Sequence, residues 1–303
     1  MSAPKRVKRV KRAISGWVVL NKPYDMTSTQ AVGKVRWLFG AAKAGHAGTL
    51  DPLATGILPI ALGEATKAVP YVQDGTKIYR FAIKWGSATA TDDAEGAVIA
   101  TSDVRPEQAA LESILPQFTG TIMQLPPIYS ALKINGERAY DLARAGEVVE
   151  LAKREIRVDS IALVSHGSEQ SVLEVSCGKG TYVRSLARDI AEQLGTRGHV
   201  SMLHRAAVGP FSDADAVTID ELEAALADDR DGFIRPVAEA LHGVPELRLD
   251  PSQAAAVRHG NAVLLTGAGT PVSMDDCWAS FAGVVLATGF VQFGQFQPRR
   301  VFN

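Results

Sequence analysis

The sequence predicts an α+β fold with a small β domain at its C-terminal end. Three observations carry that expectation. The segments KIYRFAIKW and SVLEVSC read as strands, the first through its alternation of apolar and polar positions. Other stretches place apolar residues at helical spacing behind a capping pair or a glycine-rich turn. From about Leu247 the texture changes to short β-like runs, AVLLTG and ASFAGVVLATGFVQF, with TG read as a hairpin turn.

Taken in order, the chain divides into a basic arm (1–14), a larger domain (15–245) and the small β domain (246–303). WVVLNKP reads as a short strand stopped by Pro23. Thr27 and Gln30 have capping-box spacing, and Val32, Val35, Leu38 and Phe39 follow at helical intervals up to Gly40. AGHAGTLDPLATGILP, residues 44–59, is a loop punctuated by Gly and Pro. In KIYRFAIKW, Tyr79, Phe81, Ile83 and Trp85 share one strand face, and Arg80 and Lys84 the other. TDDAEG (91–96) is a turn that lacks the remaining spacing of a calcium loop. A basic stretch runs from Lys133 to Arg157. SVLEVSC then leads through GKGT into the helix YVRSLARDIAEQLG, whose buried stripe is Val183, Leu186, Ala187, Ile190 and Leu194. Thr218 and Glu221 cap a shorter helix, IDELEAALA.

Composition removes several function classes. Hydrophobic residues make up 46% and charged residues 21%, an ordinary globular mixture. The two cysteines, Cys177 and Cys277, lie far apart without CxxC spacing, which argues against a disulfide framework and fits a reducing cytosol. The six histidines include no HExxH or HxxxH pair, so no metal centre is expected. The run 281–293 is too short to cross a bilayer, and no signal-peptide pattern follows the basic start. A cytoplasmic protein is expected. A net charge of −1 hides an asymmetry: the first twelve residues carry six Lys or Arg and no acid, whereas residues 213–231 carry eight acids against one Arg. The arm reads equally as a polyanion-binding footprint and as a solvated tail.

Four positions raise a chemical question. Asp51, between Leu50 and Pro52, reads locally as a turn residue or as an N-cap with Pro52 at the first helical position. Arg184 lies in the first turn of its helix, where the macrodipole disfavours a cation unless an anion meets it. That anion is either a carboxylate of the protein or a phosphate of a substrate. The backbone of Gly178–Thr181 offers a general anion site, without Walker spacing, and an idle surface arginine is the plainer reading. Tyr79 is a core tyrosine or a platform for an extruded base. His46, with Gly45 and Gly48 close on either side, is expected to be exposed and either to stack on a base or to close a turn.

These residues lie within one larger pattern. NKPYDMTS, AGHAGTLDPLATGILPIALGEATK, KIYRF, PPIYSALKINGERAYDLARAG, CGKGTYVRSLARDIAEQLG and GHVSMLHRAAVG resemble the bacterial tRNA pseudouridine-55 synthases of the TruB type. The resemblance covers nearly all of residues 15–210. It implies a pseudouridine synthase catalytic domain with a mixed, largely antiparallel sheet, and a C-terminal domain that is PUA-like and binds RNA. It implies isomerisation of uridine to pseudouridine in the T-arm stem-loop of tRNA, with no metal, no other cofactor and no obligate protein partner. Asp51 would be the nucleophilic carboxylate, ion-paired with Arg184, and Tyr79 would pack on the uracil and handle its C5 proton. His46 would support the displaced RNA loop and Leu203 the uracil pocket, while Lys22 and Lys133 would support structure or the RNA backbone. Two positions depart from the family pattern. Asp25 stands where Gly is common, and Asp is among the better substitutes at positive φ. His204-Arg205 stands where an arginine pair is usual, which implies weaker RNA contact there.

Two rival readings account for part of the pattern. A non-catalytic RNA-binding protein explains the arm but has no need of Asp51 with Arg184. A phosphate-binding transferase would use GKGT and Arg184, yet the chain lacks a Walker motif. The tail is expected to fold alone, so that a cut near Pro245 leaves a soluble protein, the alternative being that residues 247–303 pack against the catalytic core and help it fold.

Overall fold

The computed structural model describes residues 11–130, 132–134, 137–138, 151–227, 229–267 and 269–303. The first half contains β1 (Gly16–Lys22), α1 (Ser28–Phe39), β2 (Ala44–His46), β3 (Thr55–Leu62), α2 (Val69–Asp74), β4 (Lys77–Trp85), β5 (Ser87–Thr89), β6 (Val98–Thr101), α3 (Gln108–Ile114) and β7 (Gly120–Gln124). There follow β8 (Lys133–Ile134), β9 (Glu137–Arg138), β10 (Arg154–His166), β11 (Gln170–Cys177), α4 (Val183–Gln193), β12 (Gly198–Val208), β13 (Phe211–Ser212) and α5 (Ile219–Ala224). The last part holds β14 (Glu246–Arg248), α6 (Pro251–Arg258), β15 (Val263–Leu264), β16 (Met274–Phe281), β17 (Val284–Gln292) and β18 (Gln295–Val301).

Local sequence explains where these elements begin and end. The Thr27 side chain accepts from the Gln30 N–H, the Gln30 side chain accepts from the Thr27 N–H, and α1 stops at Gly40 in the left-handed region. The turn before it needs a positive φ at Asp25, which adopts +59°. Asp there keeps the turn, as the residue type allows. Along β4, Phe81, Ile83 and Trp85 are buried while Arg80 and Lys84 are exposed, as the alternation requires.

The main sheet runs β1-β3-β12-β4-β11-β10-β7, with β2 added to β3 and β13 to β12. Its pairings are antiparallel except for β3 with β12, so the expected mixed, largely antiparallel sheet is what the chain forms. The parallel junction depends on one glycine. Gly56 has φ +99°, and a Cβ there would sit 2.3 Å from the Arg205 carbonyl oxygen, so no side chain fits. On one side of the sheet α4 contributes Leu186, Ala187 and Ile190 to a core with Phe81 and Trp85. Elsewhere α1 packs Val35 and Leu38 against Val18 and Leu20.

The C-terminal sheet, β14-β16-β17-β18-β15, differs from the expectation in its turns. They fall at Ala282-Gly283 and Phe293-Gly294, all four residues at positive φ, and not at a TG pair. Thr288-Gly289 lies inside β17, where the pairing with β18 slips and a Cβ on Gly289 would meet the Gln297 carbonyl oxygen at 2.1 Å. That glycine serves close backbone approach. The sheet also shares its core with the rest of the chain. Trp278, Val285 and Phe302 are buried in one cluster with Trp17, Val72, Phe211 and Leu241. Lys67 Nζ donates to the Val301 carbonyl at 2.6 Å, and the Asn303 N–H donates to Glu64 at 2.8 Å. The expectation of a freely separable tail does not fit this packing.

The described end of the arm is docked. Arg12 bonds backbone to backbone with Gly40 at 2.8 Å and Ala42 at 3.1 Å, and its guanidinium pairs with Asp231 in the acidic stretch. Residues 1–10, which hold most of the arm's charge, lie outside the described residues. Among the described residues no helix is long and apolar enough to cross a membrane.

Candidate active site

Asp51 sits on the loop between β2 and β3. No helix starts there. The Ala54 N–H bonds the Asp51 carbonyl at 3.1 Å, which makes Asp51–Ala54 a turn and leaves the carboxylate uncommitted to the backbone. Three side chains fix the loop instead. Ser28 Oγ donates to the Leu50 carbonyl at 2.9 Å and accepts from the Leu50 N–H at 2.8 Å. Lys22 Nζ donates to the Pro52 carbonyl at 3.1 Å. Arg205, fully buried, donates to the carbonyls of Gly48 at 3.0 Å and Ile57 at 2.7 Å.

Arg184 meets this carboxylate. Its Nε lies 2.9 Å from Asp51 Oδ2 and 3.6 Å from Asp93 Oδ2. Its two terminal nitrogens donate to the carbonyls of Thr91 at 2.9 Å and Tyr129 at 3.0 Å. A guanidinium only 5% exposed requires such partners, because removing a charge from water costs several kcal/mol, roughly, unless it is paired. The anion that justifies a cation in the first turn of α4 is thus a carboxylate of the protein.

A cavity of about 460 Å³ opens over this pair. Asp51, Tyr79, Arg184 and Leu203 all line it, together with Tyr129, Ser130, Tyr182 and Arg205. Tyr79 reaches it from β4 and Leu203 from the adjacent β12, where Leu203 pairs with Phe81 and Arg205 with Tyr79. Burial pushes the Tyr79 hydroxyl above its ordinary range, and the Arg205 guanidinium pulls it back in part. Burial likewise raises Tyr182.

Two expected positions, Lys22 and His46, lie apart from the cavity lining. Lys22 is fully buried and spent on the carbonyls of Pro23 (2.8 Å), Met26 (2.7 Å) and Pro52, so it supports the loop and has no free face for RNA. Burial lowers it to about 8 against the pull of Asp51. His46 was expected to be exposed and is half-buried, because β2 pairs with β3; burial and then Arg205 lower it, and its Nδ1 is enclosed without a partner. Lys133 has its backbone in β8, and its side chain lies outside the described residues. His204 is held by Thr55 Oγ1 at 2.9 Å and by both Asp213 carboxylate oxygens at 3.0 Å.

Sequence reasoning missed Tyr182, Arg205 and Asp93. Arg205 carried a readable signal, since it follows Leu203 by two on the same strand face. Tyr182 directly precedes the helix and is fixed by a reciprocal pair with Gln124, which accepts from its N–H at 2.9 Å and donates to its carbonyl at 3.0 Å.

Residues 36–183 match the family described as TruB family pseudouridylate synthase (N terminal domain), and residues 184–242 match the tRNA pseudouridylate synthase B C-terminal domain. The tRNA pseudouridine synthase B of Mesorhizobium japonicum is 50% identical, with 98% of this chain and 99% of that protein covered. That of Chelativorans sp. is 51% identical, with 99% of each covered. The chain belongs to the TruB family of pseudouridylate synthases. A chain of a crystallised Cbf5-Nop10-Gar1 complex matches with a TM-score of 0.72 at 25% identity, over 95% of this chain and 85% of that one. A chain of an H/ACA RNP bound to a substrate RNA containing 2′-deoxyuridine has the same fold, with a TM-score of 0.73 at 23% identity over 95% and 85%. The two TruB segments meet between Val183 and Arg184, within the first turn of α4. The cavity therefore takes Asp51 and Tyr79 from one segment and Arg184, Leu203 and Arg205 from the other.

Proposed function

We propose that this TruB-family enzyme isomerises a uridine of the tRNA T-arm loop, position 55, to pseudouridine, with Asp51 as the nucleophile. The observation that carries the reading is the Asp51–Arg184 ion pair at the wall of a cavity sized for one nucleoside. Asp51 is the carboxylate that meets the ribose, and Arg184 holds it in place. Asp51 bonds to C1′ as the N1–C1′ bond breaks and its electron pair stays on the uracil; the uracil turns within the cavity, and C5 bonds to C1′ as the C1′–Asp51 bond breaks and its pair returns to the carboxylate. C5 then loses its proton and N1 gains one, so the formula is unchanged. Leu203 and the Tyr79 ring bound the base, and the Tyr79 hydroxyl is the group for the C5 proton. A base must leave its stack to reach this position, and aromatic and apolar walls offset part of that cost.

Residues 15–245 carry the chemistry in this reading, and 246–303 act as a PUA-like RNA contact surface, where Arg248, Arg299 and Arg300 are exposed. The enzyme acts in the cytoplasm, where its two buried cysteines stay reduced. Incubating the purified protein with unmodified tRNA, without any additive, should yield pseudouridine at that uridine on nucleoside analysis. Asp51→Asn should bind the tRNA within a few-fold of wild type and form none. Retained turnover in the Asn variant would falsify the nucleophile assignment.

A further inference from the structure

Among the described residues, three buried side-chain polar atoms lack a hydrogen-bond partner: Trp17 Nε1, His46 Nδ1 and Ser130 Oγ. Of these residues only Ser130 lines the cavity that holds Asp51. It is 4% exposed. The Tyr182 hydroxyl lies close enough to Ser130 for the contact to favour its ionised form, yet the contact falls short of hydrogen-bond geometry, so Ser130 Oγ is left without a fully satisfied partner. Folded proteins rarely leave a buried hydroxyl unpaired, and one on a residue that lines a binding cavity is placed to be completed by a ligand there. Its backbone is also fixed relative to the reacting groups. The Ser130 N–H bonds the Ile128 carbonyl at 3.0 Å, and the carbonyl of the preceding Tyr129 takes Arg184.

Given the reaction proposed above, on which this step rests, uracil chemistry says what such a hydroxyl can do. N1 and C5 are the reacting atoms, so the edge left for a pocket wall to hold is O2, N3–H and O4. A half-turn about the N3–C6 axis exchanges N1 with C5 and O2 with O4, and it leaves N3–H where it was. A group bonded to that edge therefore finds an equivalent partner before and after the turn. A hydroxyl suits both kinds of atom on the edge, donating to a carbonyl or accepting from N3–H.

We infer that Ser130 is a substrate-binding residue whose hydroxyl holds the imide edge of the uracil through its rotation. The base itself is the partner, not the ribose or the phosphates. Two measurements on wild type and Ser130→Ala test this. One is single-turnover pseudouridine formation in a T-arm stem-loop. The other is affinity for the same stem-loop with an abasic ribose at the target position. Wild type should form pseudouridine, Ser130→Ala should be slower by about tenfold, and the two should bind the abasic stem-loop equally. An unchanged rate in Ser130→Ala would overturn the inference. So would a parallel loss of affinity for the abasic stem-loop, which would make Ser130 a support for the pocket backbone. A wild-type protein that forms no pseudouridine would instead overturn the reaction itself, and this inference with it.

Discussion

Ending the chain after Pro245 should cost the protein its fold stability before it costs any RNA contact. The deletion removes Trp278, Val285 and Phe302, each at most 9% exposed, from a cluster they share with Trp17, Val72, Phe211 and Leu241. Each large apolar side chain contributes roughly 1.5–3 kcal/mol when fully buried, so the three represent on the order of 5–8 kcal/mol. That is comparable with the whole stability of a typical domain, roughly 5–15 kcal/mol. The bonds from Lys67 to Val301 and from Asn303 to Glu64 are lost as well. At about 2–4 °C per kcal/mol for a domain of this size, the fragment should melt at least about 10 °C below the full chain or be insoluble. Circular dichroism melts of the fragment and the full chain, run beside a stem-loop modification assay, make the comparison. A soluble fragment melting within about 3 °C of the full chain and still modifying the stem-loop would refute the shared-core argument.

Three further outcomes follow from the geometry. Arg184→Lys keeps a charge but loses the planar fork that serves Asp51, Thr91 and Tyr129 together, so turnover should fall at least about tenfold and RNA affinity much less; a loss confined to affinity would make Arg184 a phosphate contact. Tyr79→Phe should bind RNA well and turn over slowly, whereas Tyr79→Leu should lose both, and a near-normal rate for Phe would leave the ring a packing role alone. Lys22 drops from 10.5 unfolded to about 8 folded, so between those values the unfolded chain binds more protons and the stability linked to Lys22 rises with pH. The advantage of wild type over Lys22→Met should then grow by roughly 1.5 kcal/mol between about pH 8 and pH 9.5 in denaturant titrations, and a flat or falling difference would contradict the burial of that ammonium.

Features set by nearest neighbours were legible from sequence. The capping pairs Thr27/Gln30 and Thr218/Glu221 both close in the structure, and the alternation of KIYRFAIKW places its buried face correctly. A misplaced first-turn cation pointed to an anion, and the anion is there. Features set by distant backbone were not legible. Gly289 resembled a turn residue, yet it is required by the next strand, whose Gln297 backbone, eight residues on, approaches it at a slip in register. The helix α6 carried a full signal, Asp250 with Pro251 and Gln253, that was lost in the β texture around it. Lys22 was open between a structural and an RNA-contact role, because nothing local shows that it ends partly on the Pro52 carbonyl far along the chain, and the same holds for the Arg205 contacts to Gly48 and Ile57.

The same distinction explains why the turn alternative for Asp51 holds and the N-cap alternative fails. An N-cap aspartate spends its carboxylate on backbone N–H groups of the next turn, and a carboxylate so occupied has little to offer a substrate. Here the loop is held by its own carbonyls and by Leu50, through Lys22, Ser28 and Arg205. The Asp51 side chain is thereby relieved of any structural task in its turn. Oδ2 takes Arg184, on a side chain that is still 38% exposed at a cavity wall. A carboxylate held by Arg184 and still exposed to the cavity is both oriented and accessible, which is the combination the proposed attack on ribose needs. Moving the anchoring work from Asp51 to three surrounding side chains is what would free an ordinary Asp-Pro turn for the chemistry proposed above.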